Sequence, residues 1–155
     1  MAEAALRTSA RERVQKLTAA YRTILGAYED LESLTETELA YLSEGRPLAE
    51  VNELLRTKRE RLREIRVEEE RVTGEREWWK KSRRSLPPRD CRELLSLLDS
   101  ISRTIERTVS GEAECRSRLE QAVAWGADSP LRPAANPKAA ASAYARGNHR
   151  SGERA

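Results

Sequence analysis

The residues of this chain that could act as catalysts are carboxylates, two thiols and one imidazole. Glu68, Glu69 and Glu70 are adjacent, and a pair of carboxylates can act as general acid and general base when burial separates their pKa values. Here they fall in a charged helical pattern, and a solvated helix face does not provide that burial. His149 has no Ser, Cys or carboxylate at a spacing typical of a nucleophile and its base. We therefore predict that the protein is not an enzyme.

The two cysteines, Cys91 and Cys115, indicate neither a disulfide nor a metal site. They fall in one predicted helix, about 36 Å apart along its axis at 1.5 Å per residue, which is too far for a disulfide. They form no CxxC pair, and with a single His they are more typical of small core or surface residues. We predict no metal and no cofactor, and a reducing, cytoplasmic location. No stretch approaches the roughly 18 apolar residues of a membrane span, and "MAEAALRTSARER" lacks a hydrophobic signal core, so we expect neither a membrane span nor a secretory leader.

Aromatic and basic residues stand together in "WWKKSRR", residues 78–84. Such a combination can bind single-stranded nucleic acid, a membrane surface or a protein partner. Trp79 also occupies a position in a helical seam, where we predict that it seals one end of a helix bundle against Val14 and Leu94 and leaves Trp78 partly exposed. We favour this structural role.

The charge distribution does not favour a body that binds nucleic acid. The formal net charge is +3, but residues 1–125 hold 24 Lys and Arg against 24 Asp and Glu. Residues 126–155 hold 5 against 2 and therefore carry the excess. Nucleic-acid binding through "RTKRERLREIR" and "KKSRR" would weaken steeply with salt, and the acidic neighbours of these segments make it the weakest of the functions considered.

The apolar pattern predicts an all-α protein of long helices with a narrow buried seam. Hydrophobic residues make up 38% of the chain and charged residues 35%, a balance typical of such helices. From Val14 the apolar residues recur at alternating steps of three and four along a first helix over 10–44, with Thr35 at one seam position. Gly45 can adopt the left-handed conformation that ends a helix, and Pro47 suits the first turn of the next. The break predicts an antiparallel αα-hairpin.

Charged residues accompany this seam and also interrupt it. Across the hairpin, Glu32 and Glu36 are predicted to lie roughly opposite Arg59 and Arg56. The seams of the second and third predicted helices are interrupted by Lys58, Glu69, Arg76 and Glu112. Rods with such interruptions are not expected to bury all their apolar groups in a monomer. This favours binding of an amphipathic helix in a groove, or self-association.

Pro87 and Pro88 end the second predicted helix, and Asp90 places a carboxylate in the first turn of the third. We predict an elongated, coiled-coil-like antiparallel three-helix bundle over residues 1–125, with Trp125 near Gly45. Residues 126–155 are rich in Pro, Gly, Ala and Asn, and we predict that they form a disordered C-terminal tail.

The hairpin has a pattern of a leucine-rich first helix, a glycine turn and a second helix that contains Leu54-Leu55-x-x-Lys58 and closes on Glu68-x-x-Arg71. The residues that carry it are Leu39, Leu42, Gly45, Leu48, Leu54, Leu55, Lys58, Leu62, Ile65 and Glu68 to Arg71. This pattern resembles the FlgN family of flagellar type III export chaperones. Family members often end in a segment with a Tyr followed by a nearby Gly, which is similar to Tyr144 and Gly147 in "AYARGN".

The resemblance implies a small cytoplasmic chaperone that holds hook-associated proteins, the components of the hook–filament junction, by their C-terminal helices until export. Cargo would then bind the third helix, at positions corresponding to Ile105, Val109, Leu119 and Val123. The tail tyrosine would correspond to Tyr144, docking onto the cytoplasmic domain of the export-gate membrane protein. These roles are expectations from the resemblance.

An alternative from a different class is a generic coiled-coil scaffold or homodimer that covers its seam with a second copy of itself. The export-chaperone hypothesis predicts a monomer or weak homodimer without stable membrane insertion and without nucleic acid. The sequence does not specify the cargo.

Overall fold

The computed structural model describes the backbone of residues 2–128 and the side chains of residues 2–124. Over this range the chain is helical, and the predicted all-α fold is confirmed. The elements are α1 (Ala2–Glu44), α2 (Leu48–Arg71), α3 (Thr73–Ser82), a short 3-10 turn (Arg83–Ser85) and α4 (Pro88–Asp128). The tail beyond residue 128, with His149 and Tyr144, lies outside the described residues, as does the side chain of Trp125.

The turn between α1 and α2 is the predicted αα-hairpin. Gly45 has a φ of 68°, the left-handed conformation expected of it. Its N–H donates to the carbonyl of Leu42 at 3.3 Å, and the N–H of Arg46 donates to the carbonyl of Tyr41 at 3.0 Å. These two bonds form a Schellman motif, which satisfies carbonyls at the end of α1. Pro47 then directly precedes α2.

Residues 2–128 form four α-helices where the sequence pattern predicts three, because the predicted second helix is divided at Val72. Val72 has φ −111° and ψ 19°, and Thr73 Oγ1 donates to the carbonyl oxygens of Glu69 and Glu70 at 3.2 and 3.0 Å. A hydroxyl that bonds locally to backbone carbonyls competes with regular helix, and Gly74 is a poor helix former. The side chain of Val72 is nevertheless fully buried.

Ion pairs across the helices give their relative directions. Asp30 pairs with Arg61 at 3.3 Å and Lys16 pairs with Glu75 at 2.7 Å, so α2 and α3 run antiparallel to α1. Glu32 pairs with Arg107 at 2.8 Å. Nearer the N-terminus of both helices, Arg22 of α1 pairs with Glu93 of α4. Helix α4 is therefore parallel to α1, and α1 is the common partner of the other three helices.

The predicted opposition of Glu32 and Glu36 to Arg59 and Arg56 is not the pairing that the structure makes. Glu32 binds Arg107 of α4, and Arg56 pairs within its own helix with Glu53 at 3.5 Å. The register of the hairpin is nevertheless as predicted, because Asp30 pairs with Arg61 in the alignment that places Glu32 opposite Arg59. The Glu32 carboxylate binds Arg107 of α4 instead. Helix α1 also begins at Ala2 rather than near residue 10, with its first turns exposed.

The core consists of two clusters along α1. The first contains Val14, Leu17, Ala20, Val72, Trp79, Cys91 and Leu94. The second contains Ile24, Ala27, Leu31, Ile65 and Ile101. The first cluster confirms the predicted role of Trp79 beside Val14 and Leu94. Trp78 is half-buried, and the guanidinium of Arg13 lies 5.3 Å from the centroid of its ring, a cation–π contact.

Helices α1 and α4 approach each other closely where Gly111 faces Thr35. A Cβ atom added to Gly111 would lie 2.8 Å from Thr35 Cγ2, closer than carbon atoms can pack. The Thr35 side chain is held by its hydroxyl, which lies 2.8 Å from the carbonyl oxygen of Leu31. Because a β-branched side chain has few alternative rotamers, its methyl group cannot easily move away.

We expect Gly111→Ala to be less stable than Gly26→Ala by about 1–3 kcal/mol, the usual cost of overpacking. Both changes remove a helical glycine, which alone should stabilise by up to about 1 kcal/mol, but Gly26 has open space around it. Urea unfolding followed by circular dichroism measures the difference. Equal stabilisation by the two alanines would contradict the close approach of α1 and α4.

Candidate functional site

One edge of α4 presents apolar side chains to solvent. Leu95 is 49% exposed and Val109 is 61% exposed. They lie two heptads apart, so they share one face of the helix. Leu98 and Ile105 lie beside them, half-buried, and pack against the first and second core clusters. We call these four residues the α4 edge.

The α4 edge lies beside the side of α4 that faces α2. Helices α2 and α4 both pack on α1, but their backbones make few close approaches to each other. Glu112 falls in the same heptad column as Leu98 and Ile105, and its carboxylate reaches Lys58 of α2. This column of α4 therefore points towards α2, and the more exposed Leu95 and Val109 flank it. An amphipathic helix could lie along this edge.

The four cargo-binding positions predicted from the family resemblance differ in how far their side chains are exposed to solvent. Ile105 and Val109 belong to the α4 edge, whereas Leu119 is buried and Val123 is half-buried. The family resemblance did not include Leu95 and Leu98. They could have been found from spacing, because Leu98 is seven residues before Ile105 and Leu95 is fourteen before Val109.

A buried polar network joins α1, α2 and α4 beyond this edge. The ammonium group of Lys58 on α2 binds the carboxylates of Glu38 on α1 and Glu112 on α4. The side chains of Lys58, Glu38 and Glu112 are 7%, 0% and 26% exposed. Thr35 Oγ1 lies 3.0 Å from Glu112 Oε1. Two of the charges predicted to interrupt the seam, Lys58 and Glu112, therefore neutralise each other inside it.

The sequence analysis did not identify Glu38 as a buried charge, although its position in the heptad pattern indicates burial. It continues the seven-residue column of Leu17, Ile24 and Leu31, whose members are all buried in α1. A carboxylate in such a column needs a cation, because burying an unpaired charge costs far more than burying a paired one. Lys58 is the cation that the hairpin brings opposite to it.

Cys115 packs against this network. Its Sγ lies 3.5 Å from the carbonyl oxygen of Thr35. Burial raises the pKa of the Cys115 thiol to about 12, with a further contribution from Glu38 that Lys58 opposes. Burial also raises the pKa of Cys91. Both cysteines are free and buried, so each is a neutral thiol at neutral pH rather than a nucleophile.

The carboxylates of "EEE", residues 68–70, do not meet a catalytic partner in the part of the chain that the structure describes. Glu68 pairs with Arg71 at 3.2 Å. Glu69 contributes to raised pKa values of Tyr21 and Tyr28, for which burial is the main cause. Among the described residues, no group of His, Cys, Asp and Glu side chains could hold a metal ion. The prediction of a non-enzyme stays a prediction.

No family model, curated protein or solved structure matches the chain. The resemblance to the FlgN family therefore depends on the hairpin residues and the tail element. Over residues 2–128, none of the helices has the length and apolar character that crossing a membrane requires.

We expect Lys58→Met to lower the free energy of unfolding by roughly 3 kcal/mol, because it removes the buried ammonium group that binds the carboxylates of Glu38 and Glu112. The matched control is Lys16→Met, since Lys16 pairs with Glu75 at a surface where its side chain is 52% exposed. An exposed pair contributes less than about 1 kcal/mol. Thermal and urea unfolding of both variants measure the contrast, and similar small losses would argue against the buried network.

The raised pKa of Cys115 predicts a pH dependence of stability. The folded protein favours the neutral thiol, so this contribution is fully present below the unfolded-state pKa of about 9 and is lost as the pH rises towards about 12. Wild type should therefore lose stability between pH 9 and 11 more steeply than Cys115→Ala. Urea unfolding at each pH gives the two slopes, and parallel slopes would be inconsistent with a perturbed thiol.

Proposed function

We propose that the protein is a flagellar type III export chaperone. In this proposal it binds the C-terminal helices of hook-associated proteins in the cytoplasm, prevents their premature assembly and delivers them to the export gate. The observation that carries the proposal is the exposed apolar edge of α4, together with the resemblance of the α1–α2 hairpin to the FlgN family. Helices α2 and α3 would together form the second arm of a three-helix bundle.

The dimensions of the α4 edge suit a helical cargo segment. Leu95 and Val109 are separated by about 21 Å along the helix axis at 1.5 Å per residue, which corresponds to about four turns. An amphipathic helix recognises such a surface through anchors at i, i+3 or i+4 and i+7. The edge ends near Glu112, because that position is charged and bound to Lys58. The proposed cargo site is thus centred on residues 95–109.

The same surface explains why such a cargo would need a chaperone. A cargo helix that later forms contacts in an assembled structure has an apolar stripe, and that stripe is aggregation-prone when it is exposed. Covering it with Leu95, Leu98, Ile105 and Val109 removes apolar area from water on both partners. Binding through one half-exposed edge gives a reversible complex, since ordering costs cancel most of the gain from burial.

The double variant Leu95→Glu with Val109→Glu should lose binding to a hook-associated protein in size-exclusion co-elution. Two carboxylates on the apolar edge would be desolvated by the cargo helix. The control is Ser96→Glu with Ser117→Glu, which adds the same charge to exposed positions elsewhere on α4. Co-elution that survives the edge substitutions, or fails equally for the control, would reject the α4 edge as the cargo site.

The scaffold alternative uses the same edge to bind a second copy of the chain. Light scattering across protein concentration separates the two proposals, because a stable dimer without affinity for cargo favours the scaffold. Docking to the export gate through Tyr144 remains part of the chaperone proposal.

A further inference from the structure

Basic side chains are concentrated at the end of the rod where α3 meets α4. Residues 80–89 contain five cations and no acidic residue. We call this group the basic tip; its members are Lys80, Lys81, Arg83, Arg84 and Arg89, all of them exposed. They occupy the last turn of α3, the 3-10 turn and the first turn of α4.

Most of this charge is not neutralised locally. Lys80 pairs with Glu77 at 3.3 Å and Arg89 with its neighbour Asp90 at 3.8 Å. Lys81, Arg83 and Arg84 form no ion pair with any residue that the structure describes. Like charges this close repel one another, so the cluster does not stabilise the fold. It is suited to an anionic partner instead.

The aromatic residues beside the basic tip do not provide a platform for nucleic-acid bases. Trp79 is buried in the first core cluster. Trp78 is half-buried and already has the guanidinium of Arg13 over its ring. Single-stranded nucleic acid is usually held by aromatic faces on which bases stack, within a basic groove. The basic tip instead lies on a turn between helices, which suits contact with a flat surface.

The opposite end of the rod is acidic. Residues 29–53, which surround the hairpin, contain eight Asp and Glu side chains and a single cation, Arg46. Most of these carboxylates pair with cations, for example Asp30 with Arg61 and Glu32 with Arg107. An anionic surface would therefore attract the basic tip and not this end. This asymmetry favours an orientation in which the rod stands on its basic tip, with the hairpin directed away from the surface.

We propose that the basic tip docks the protein reversibly on a membrane surface that contains anionic lipids. Leu86, the apolar residue within the tip, packs against the first core cluster rather than pointing into solvent. The attachment is therefore electrostatic and without insertion, and it weakens with increasing salt. The proposal does not depend on the chaperone function, because the tip and the α4 edge are different surfaces.

Sedimentation of the full chain with vesicles tests this proposal. Wild type should bind vesicles of phosphatidylcholine mixed with phosphatidylglycerol, and not vesicles of phosphatidylcholine alone. The tip variant Lys81→Gln, Arg83→Gln, Arg84→Gln should bind on the order of a hundredfold more weakly, at about fivefold per cation removed. The control variant is Arg59→Gln, Arg63→Gln, Arg66→Gln, which removes the same charge from exposed positions of α2.

Three results would overturn the proposal. The tip variant could bind as wild type does, which would assign vesicle binding to other cations, including those of residues 126–155. The control variant could lose as much vesicle binding as the tip variant, which would show that binding depends on net charge and not on the basic tip. Wild type could bind single-stranded RNA through the tip and leave anionic vesicles unbound. The tip variant is expected to co-elute with a hook-associated protein as wild type does. A failure of vesicle binding can therefore be distinguished from a failure of the proposed chaperone function.

Discussion

Lys58 is buried between carboxylates of two other helices, and the arrangement of the rod depends on that contact. Helices α2 and α4 both pack on α1 and make few close backbone approaches to each other, so the Lys58 ammonium group, bound to Glu38 and Glu112, links all three. Apolar columns of leucine and isoleucine tolerate a shift by one heptad, because the next position is also apolar. A buried charge does not tolerate it, since any shift separates it from its partners. The network therefore fixes the register.

The same contact separates two surfaces with different properties. On the side of α4 before Glu112, the α4 edge has apolar groups that none of the helices over residues 2–128 fully covers. At and beyond Glu112, the helix is held by Thr35, Lys58 and the packing of Cys115. A partner helix would thus meet an apolar surface of limited length rather than a continuous seam. The distant basic tip carries charge instead of apolar area, so the molecule has two distinct surfaces available for partners.

The features that sequence predicted well are those set by one residue or by a regular repeat. Gly45 and Pro47 define the hairpin locally, and Trp79 follows the heptad into the core. The break at Val72 was missed because Val72 and Trp79 stay seven residues apart on the buried face, so the apolar pattern does not change there. Glu38 was missed because its buried partner comes from another helix. The α4 edge was found only in part, since exposure depends on how far α2 lies from α4.

The interruption at Val72 also affects how cooperatively the rod unfolds. The Val72 N–H bonds irregularly to the carbonyl of Glu70, whereas the Arg76 N–H still donates to the Val72 carbonyl at 2.9 Å and side-chain packing continues through Val72 into the first core cluster. The distorted backbone bonding at Val72 makes this junction the position at which fraying of α3 would most easily stop before it reaches α2. Movement at the end that bears the basic tip can then occur while the helices around the hairpin remain folded.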